Sequence, residues 1–313
     1  MRRFLLVPVL CLLAGVASAA DSQLLKLVMP DARVVSGIDF DRVRTTPFGL
    51  FMLSQLPEGD AGFREFISVT GFDPRLDIHE IVMASPADVT RKSGLLLVRG
   101  NFDSQRLLSL FRADGKQIDT YNGVGLISAG KGHHGIGEAI AFLDNSTAAA
   151  GDIASVRTAI DRRAGARGME SALLDKITRT SLNQDAWVVS IAPVSAFAPV
   201  MPDKNIKGAL QGDLIKAIEQ STGSIRFGKT IEISGELTAR TDKDAASLAD
   251  VVKFFLNMAQ MNAPGGQLGQ LANLLQSLTV NTEANAVKLF VAIPENDFEN
   301  LIRASSRAAR SRI

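Results

Sequence analysis

Cysteine is almost absent from this sequence, with Cys11 the single one among 313 residues. Cys11 lies inside an expected export signal, so the mature chain is expected to hold no thiol, no disulfide and no thiolate metal site. Stability must then come from a packed core, which the 46% hydrophobic content supports. Aromatic residues are scarce too: Trp187 and Tyr121 are the only ones of their kinds, which leaves little for a base-stacking or sugar-stacking platform. Charge of one sign is also lacking. The chain carries 34 Lys and Arg against 33 Asp and Glu, and loss of Arg2 and Arg3 with the signal leaves 32 against 33. No nucleic-acid partner is expected, because binding a phosphate backbone needs clustered cations.

The start of the chain follows the export plan. Arg2 and Arg3 precede an apolar run from Phe4 to Val16, then small residues at Ala17, Ser18 and Ala19. The expected cut is after Ala19, and the expected location is the periplasm or the medium. The run is shorter than the roughly 20 apolar residues of a spanning helix, and no later segment is a better candidate, so no transmembrane segment is expected in the mature chain. Leu10 before Cys11 argues against lipidation, and the residues flanking Arg2-Arg3 favour the general secretory route over twin-arginine export.

Segments with a period of two alternate with segments at helical spacing. Strands are predicted near Arg33–Phe40, Leu76–Ser85, Gly94–Phe102, Val124–Ala129 and Glu138–Leu143, and helices near Phe48–Leu56, Phe63–Val69, Ser104–Arg112 and Asp152–Arg163. Asp152 should cap the last of these, with Arg162 and Arg163 at its negative C-terminal end. The clearest strand is Thr230–Arg240, where Ile231, Ile233, Leu237 and Ala239 share one face. Thr241 and Asp244 open a helix, and Val287 to Ile293 form another strand that Pro294 closes before a helix towards Ile302.

The fold class expected is α+β, with antiparallel sheets covered by helices and two related α/β-sandwich halves. The organisation read from the chain is a signal peptide at 1–19, a first half at 20–165, a second at 169–302 and a basic, frayed tail at 303–313. The boundary is Gly165-Ala166-Arg167-Gly168, and the warrant for duplication is an echo between Leu95–Leu107 and Leu289–Leu301. A further irregular stretch holds Pro193, Pro199 and Pro202.

Pro30-Asp31-Ala32, the turn Gly71-Phe72-Asp73-Pro74 leading into Leu76-Asp77-Ile78, and the closing strand and helix resemble a group of uncharacterised exported bacterial proteins of acidobacterial type. The resemblance implies a similar α+β fold and carries no activity or catalytic residue with it.

The segment Gly125 to Gly137 satisfies two phosphate-loop patterns and fails both in context. Gly125 and Gly130-Lys131 match G-x-x-x-x-G-K, but Gly132 stands where Ser or Thr should hold magnesium. Gly130, Gly132 and Gly135 match G-x-G-x-x-G, but Glu138–Leu143 reads as a strand, so no helix N-terminus would face a phosphate. A glycine-rich hairpin loop is expected, with no cofactor and no metal. The histidines are His79, His133 and His134, and their spacing matches no zinc motif. His79 reads as a solvated edge position or a simple ion pair beside Asp77 and Glu80. Asp39 and Asp41 would share one face of a strand, without the further oxygens that calcium needs.

The leading functional reading is a non-catalytic binding or assembly component of the cell envelope, with an unknown envelope protein as partner. A carrier of an apolar ligand such as a lipid chain comes second, and a hydrolase with a dispersed site third. The candidate ligand or partner face lies on the helix expected over about Asp242–Met261. There Leu248, Val251, Val252, Phe255 and Ala259 form one apolar stripe, and Phe254, Met258 and Met261 form a second. The expected cover for the second stripe is the segment after Pro264-Gly265-Gly266, where Leu268, Leu271, Leu275 and Leu278 recur at helical spacing.

Overall fold

The structure, a computed structural model, describes residues 19–54, 61–88, 93–128, 138–196, 212–261 and 277–310. The described chain opens with α1 (Ser22–Lys26), β1 (Val34–Asp39), α2 (Phe40–Val43) and α3 (Pro47–Ser54). Helices α4 (Ala61–Thr70) and α5 (Pro74–Asp77) lead into β2 (Ile78–Ser85) and β3 (Leu95–Gly100). Then come α6 (Ser104–Ala113), β4 (Ile118–Tyr121), β5 (Val124–Ser128), β6 (Ala139–Phe142) and β7 (Thr147–Gly151). The second portion holds α7 (Ile153–Arg163), α8 (Ser171–Ser181), β8 (Ala186–Ser190), α9 (Asp213–Lys216), β9 (Ile218–Arg226) and β10 (Thr230–Ala239). It closes with α10 (Asp242–Met261), β11 (Thr279–Glu283), β12 (Ala286–Pro294) and α11 (Glu295–Arg310).

The α+β class is as expected. The described strands form one twelve-stranded sheet in the order β11-β12-β10-β9-β8-β1-β2-β3-β7-β6-β5-β4. Every neighbouring pair is antiparallel. The strands of the two expected halves share one ladder, because β1 pairs with β2 on one side and with β8 on the other.

The two faces of the central strands are separated by their period of two. On one face Val35, Val82, Ala84, Leu95, Leu97, Trp187 and Val189 bury against Leu24 and Leu25 of α1, Val156 and Ile160 of α7, and Leu173 and Ile177 of α8. On the other, Val98, Phe142 and Ala148 pack with Phe72, Phe102 and Leu107. Phe72 and Phe102 stack at 5.4 Å, and Phe102 meets Phe142 at 5.5 Å. A separate core joins Leu237, Ala239, Val287 and Leu289 to Ala245, Leu248 and Ala249 of α10.

Local signals hold where local chemistry decides. Asp152 caps α7: its Oδ1 accepts the Ser155 N–H at 2.9 Å, and its Oδ2 accepts the Ser155 hydroxyl at 2.6 Å and the Gly94 N–H at 3.1 Å. One carboxylate thus holds a helix start and the start of β3 together. Asp152→Ala should therefore lower unfolding free energy by about 1–2 kcal/mol in urea denaturation, the upper part of the range for a lost cap.

Other expectations shift. Asp73 accepts the Arg75 N–H at 3.0 Å with Pro74 at the first helical position, so the stretch read as strand from Leu76 begins as the turn α5, and β2 starts at Ile78. Arg162 stands at the C-terminal end of α7 as expected and is buried there. Its Nε donates to the Arg167 carbonyl at 3.0 Å, and its Nη1 to the carbonyls of Thr158 at 3.1 Å and Leu27 at 3.5 Å. At the C-terminus α11 continues to Arg310, and Arg303 sits 4.3 Å over the Phe51 ring.

Candidate functional site

The residues between β1 and β2 build a cleft. Thr46 accepts the Gly49 N–H on its hydroxyl at 3.0 Å, and Pro47 supplies a preset φ, so α3 begins tightly after α2. A Cβ on Gly49 would stand 1.9 Å from the Val43 carbonyl oxygen, so only glycine lets the two helices approach this closely. Helix α3 is apolar around its circumference, reading Phe48, Leu50, Phe51, Met52 and Leu53. Phe51 is buried, whereas Leu50 remains 59% exposed and Met52 43%. On the far side Leu76 of α5 is 60% exposed.

Between these elements lies a cleft of about 410 Å³, lined by Phe40, Val43, Met52, Leu53, Phe63 and Ile78 together with Gly49, Pro74 and two arginines. Such a volume falls within the roughly 300–1,000 Å³ of small-molecule sites. Both guanidinium groups are already committed to protein partners. Arg44 donates to the carbonyls of Phe40 at 3.2 Å, Leu76 at 2.8 Å and Ile78, and pairs with Asp41 at 2.9 Å. Arg75 makes a two-point contact with Asp73 at 3.0 and 2.8 Å and lies 5.1 Å over the Phe63 ring. The hydrogen bond from Arg75 holds the Asp73 carboxyl below the usual carboxylate range. Charge at the walls therefore serves to fasten α2 to α5 and α5 to itself, and what faces the cleft is hydrocarbon.

The sequence-predicted acidic and histidine residues go to other work. Asp39 and Asp41 do not share a strand face, because β1 ends at Asp39, whose Oδ1 accepts the Arg42 N–H at 3.0 Å and starts α2. Asp41 holds His79 Nδ1 at 2.8 and 3.0 Å and also takes Arg44, a surface ion-pair arrangement. His79 thus pairs with Asp41 rather than Asp77 or Glu80, on an interior strand instead of an edge. Strands β5 and β6 pair antiparallel around the glycine-rich segment, as a hairpin requires. Residues 129–137, with Lys131, His133 and His134, lie outside the described residues. Among the described residues no group of three His, Cys, Asp or Glu side chains converges as a metal site, and no helix is long and apolar enough to cross a membrane.

On α10 the buried side of the helix is formed by Ala245, Leu248 and Ala249, with Val252 and Leu256 half-buried beside them. Val251, expected in that stripe, is 39% exposed, and Phe254 of the second stripe is 62% exposed. The side chains of Met258 and Met261, and the covering segment 262–276, lie outside the described residues. The cleft residues were not singled out in the sequence. The signal was present in α3, which carries more apolar surface than one packing contact uses, the same reasoning that drew attention to α10.

No family model matches this sequence, and no curated protein matches it. Among solved structures, crystal form III of TP0453 matches with a TM-score of 0.51 at 10% identity, covering 89% of this chain and 96% of that one. The fold is similar to that of TP0453. Crystal form I of TP0453 gives a TM-score of 0.49 at 10% identity over 91% of this chain and 98% of that one. At this identity the likeness concerns the fold alone.

Proposed function

We propose that this is an exported, non-catalytic binding protein whose α2–α5 cleft takes an apolar ligand such as a lipid acyl chain. One observation carries the reading: a cleft of about 410 Å³ walled by hydrocarbon, in which the two guanidinium groups are occupied by Asp41, Asp73 and backbone carbonyls. A charged ligand would find no uncommitted counter-charge there, whereas each methylene buried in such a cleft contributes about 0.8 kcal/mol. Met52, which lines the cleft, is 43% exposed and adds apolar surface where it opens.

The test is displacement of a fluorescent fatty-acid probe by palmitate. Leu53→Trp, which fills the cleft, should weaken palmitate binding about tenfold or more, because room for two methylenes is worth at least that factor. Phe254→Asp should leave binding unchanged. No palmitate binding by the parent protein would overturn the proposal. Loss on Phe254→Asp with none on Leu53→Trp would move the ligand to the α10 face of Phe254, Met258 and Met261, the second reading, which the exposure of Phe254 favours.

A further inference from the structure

At the edge of the main core, the face that packs on α1 and α8 carries an unbalanced group of charges. Asp39 of β1 lies opposite Glu80 of β2, which lies opposite Arg99 of β3, so the three share one side of the sheet. Asp21 joins them from the start of α1, with its Oδ2 2.5 Å from Arg99 Nε, and its backbone N–H donates to both Glu80 oxygens at 3.1 and 3.2 Å. Two carboxylates, Asp21 and Glu80, thus share one guanidinium, while Asp39 stands beside Glu80 and accepts the Arg42 N–H. Arg42, the cation that acts on Asp39, is spent on Asp185 at 2.9 Å, and from α8 the hydroxyl of Ser181 reaches this segment. Burial, and then the neighbouring Asp21 and Asp39, push the Glu80 carboxyl up to about 7. Burial likewise raises Asp39, against the opposing pull of Arg42 and with Asp41 and Asp185 adding to the rise.

The backbone nitrogen of Ala20 ends in this group. It donates at 3.0 Å to the Ser181 hydroxyl, which is 1% exposed and itself donates to the Thr178 carbonyl at 3.4 Å. Consecutive backbone nitrogens are at most roughly 3.7 Å apart, so the Ala20 nitrogen lies within roughly 7 Å of the Glu80 carboxylate. Ala20 is also the residue that the export pattern would make the mature N-terminus.

We propose that hydrolysis after Ala19 completes this site, the new α-ammonium of Ala20 staying at Ser181 and supplying the missing positive charge to Glu80 beside Asp21. In the step, the Ala19–Ala20 C–N bond breaks and water provides the second oxygen of the Ala19 carboxylate. Its protons go with the departing nitrogen, which becomes an ammonium. The amide before cleavage offers one neutral donor, and the ammonium after it offers three charged ones. Processing therefore fastens the α1 segment to β2 and α8, and an opposite charge at this range lowers the Glu80 pKa. The inference rests on the export reading, and the ion pair and the cleavage are tested apart.

The ion pair is tested with two recombinant chains, one starting at Ala20 with an unmodified amine and one starting at Ala17. At pH 7, where an α-amine of ordinary pKa, about 7.7–8.0, is mostly protonated, the Ala20 chain should melt roughly 2–4 °C higher. The gain should vanish when both carry Glu80→Gln. Carbon-detected NMR of the Glu80 carboxyl should show its midpoint lower by about one pH unit in the Ala20 chain, a readout that stands even if Glu80→Gln fails to fold. Equal melting temperatures with equal midpoints, or a gain that survives Glu80→Gln in full, would overturn the ion pair. Intact mass of protein recovered from the periplasm or medium tests cleavage by itself: a chain beginning at Ala20 supports it, and one beginning elsewhere overturns it.

Discussion

Replacing Asp185 with alanine should cost about 3 kcal/mol of stability, the lower end of what breaking a buried ion pair costs, because Arg42 keeps some contact with water. Asp185 is 4% exposed in its side chain and fully engaged. Its Oδ1 accepts Arg42 Nε at 2.9 Å, and its Oδ2 accepts the Phe227 N–H at 2.6 Å. Arg42 also donates from Nη2 to the Asn183 carbonyl at 2.8 Å, and the Asp39 N–H donates to the Asp185 carbonyl at 2.8 Å. Three distant pieces of chain meet at this one carboxylate: the end of β1 with α2, the start of β8, and the turn after β9. Alanine leaves the Phe227 N–H and the Arg42 Nε without an acceptor, whereas asparagine keeps an acceptor for the N–H and should lose less. Arg42 belongs to α2, whose Phe40 and Val43 line the cleft, so Asp185→Ala should also weaken palmitate binding. Urea denaturation of Asp185→Ala, Arg42→Ala and the double variant checks this. Single losses that simply add would show that the pair does not act as a unit.

The second large effect is a pH dependence carried by Glu80 in a chain where Ala20 remains in a peptide bond. The folded-state pKa, about 7, lies above the ordinary value of 4.5, so the folded protein holds the Glu80 proton more tightly than the unfolded chain does. Its contribution to stability is therefore full below pH 4.5 and is lost as the pH rises through 7. The loss should total about 3 kcal/mol, from 1.36 kcal/mol for each pH unit. Glu80→Gln keeps an oxygen for the Asp21 N–H and cannot ionise, so it should hold its low-pH stability at pH 8. Asp152 and Asp144, held below the usual carboxylate range, act in the opposite sense at acid pH, and the difference between parent and variant isolates Glu80. Unfolding curves that run parallel for the two proteins from pH 4.5 to 8 would refute the assignment.

Much of the fold was legible because its signals are short-range. The alternation of Ile231, Ile233, Leu237 and Ala239 predicted β10, and Ile231 and Ala239 are indeed fully buried. Asp152 was readable as a cap, and the glycine-rich segment as lying between two strands, which β5 and β6 are. Strands with weak alternation were missed. β7 is Thr147 with three alanines and Gly151, buried on both faces, so no polar side remains to mark a period. β9 mixes Ser, Thr and Gly and draws its place from the ladders to β8 and β10.

The sequence by itself determined several of the helices and strands, α7 and β10 among them, and where some helices begin. Each follows from residues within a turn or two of one another, through side-chain period, cap chemistry and backbone restriction. Only the tertiary structure decided that β1 stands between β2 and β8, that Asp185 anchors Arg42 from 143 positions away, and that Arg162 is buried. The same holds for the cleft at residues 40–78 and for the carboxylates around Ala20. Pairing partners, desolvation and cavities are set by what the rest of the chain places beside a residue, and no periodicity along the sequence encodes that distance.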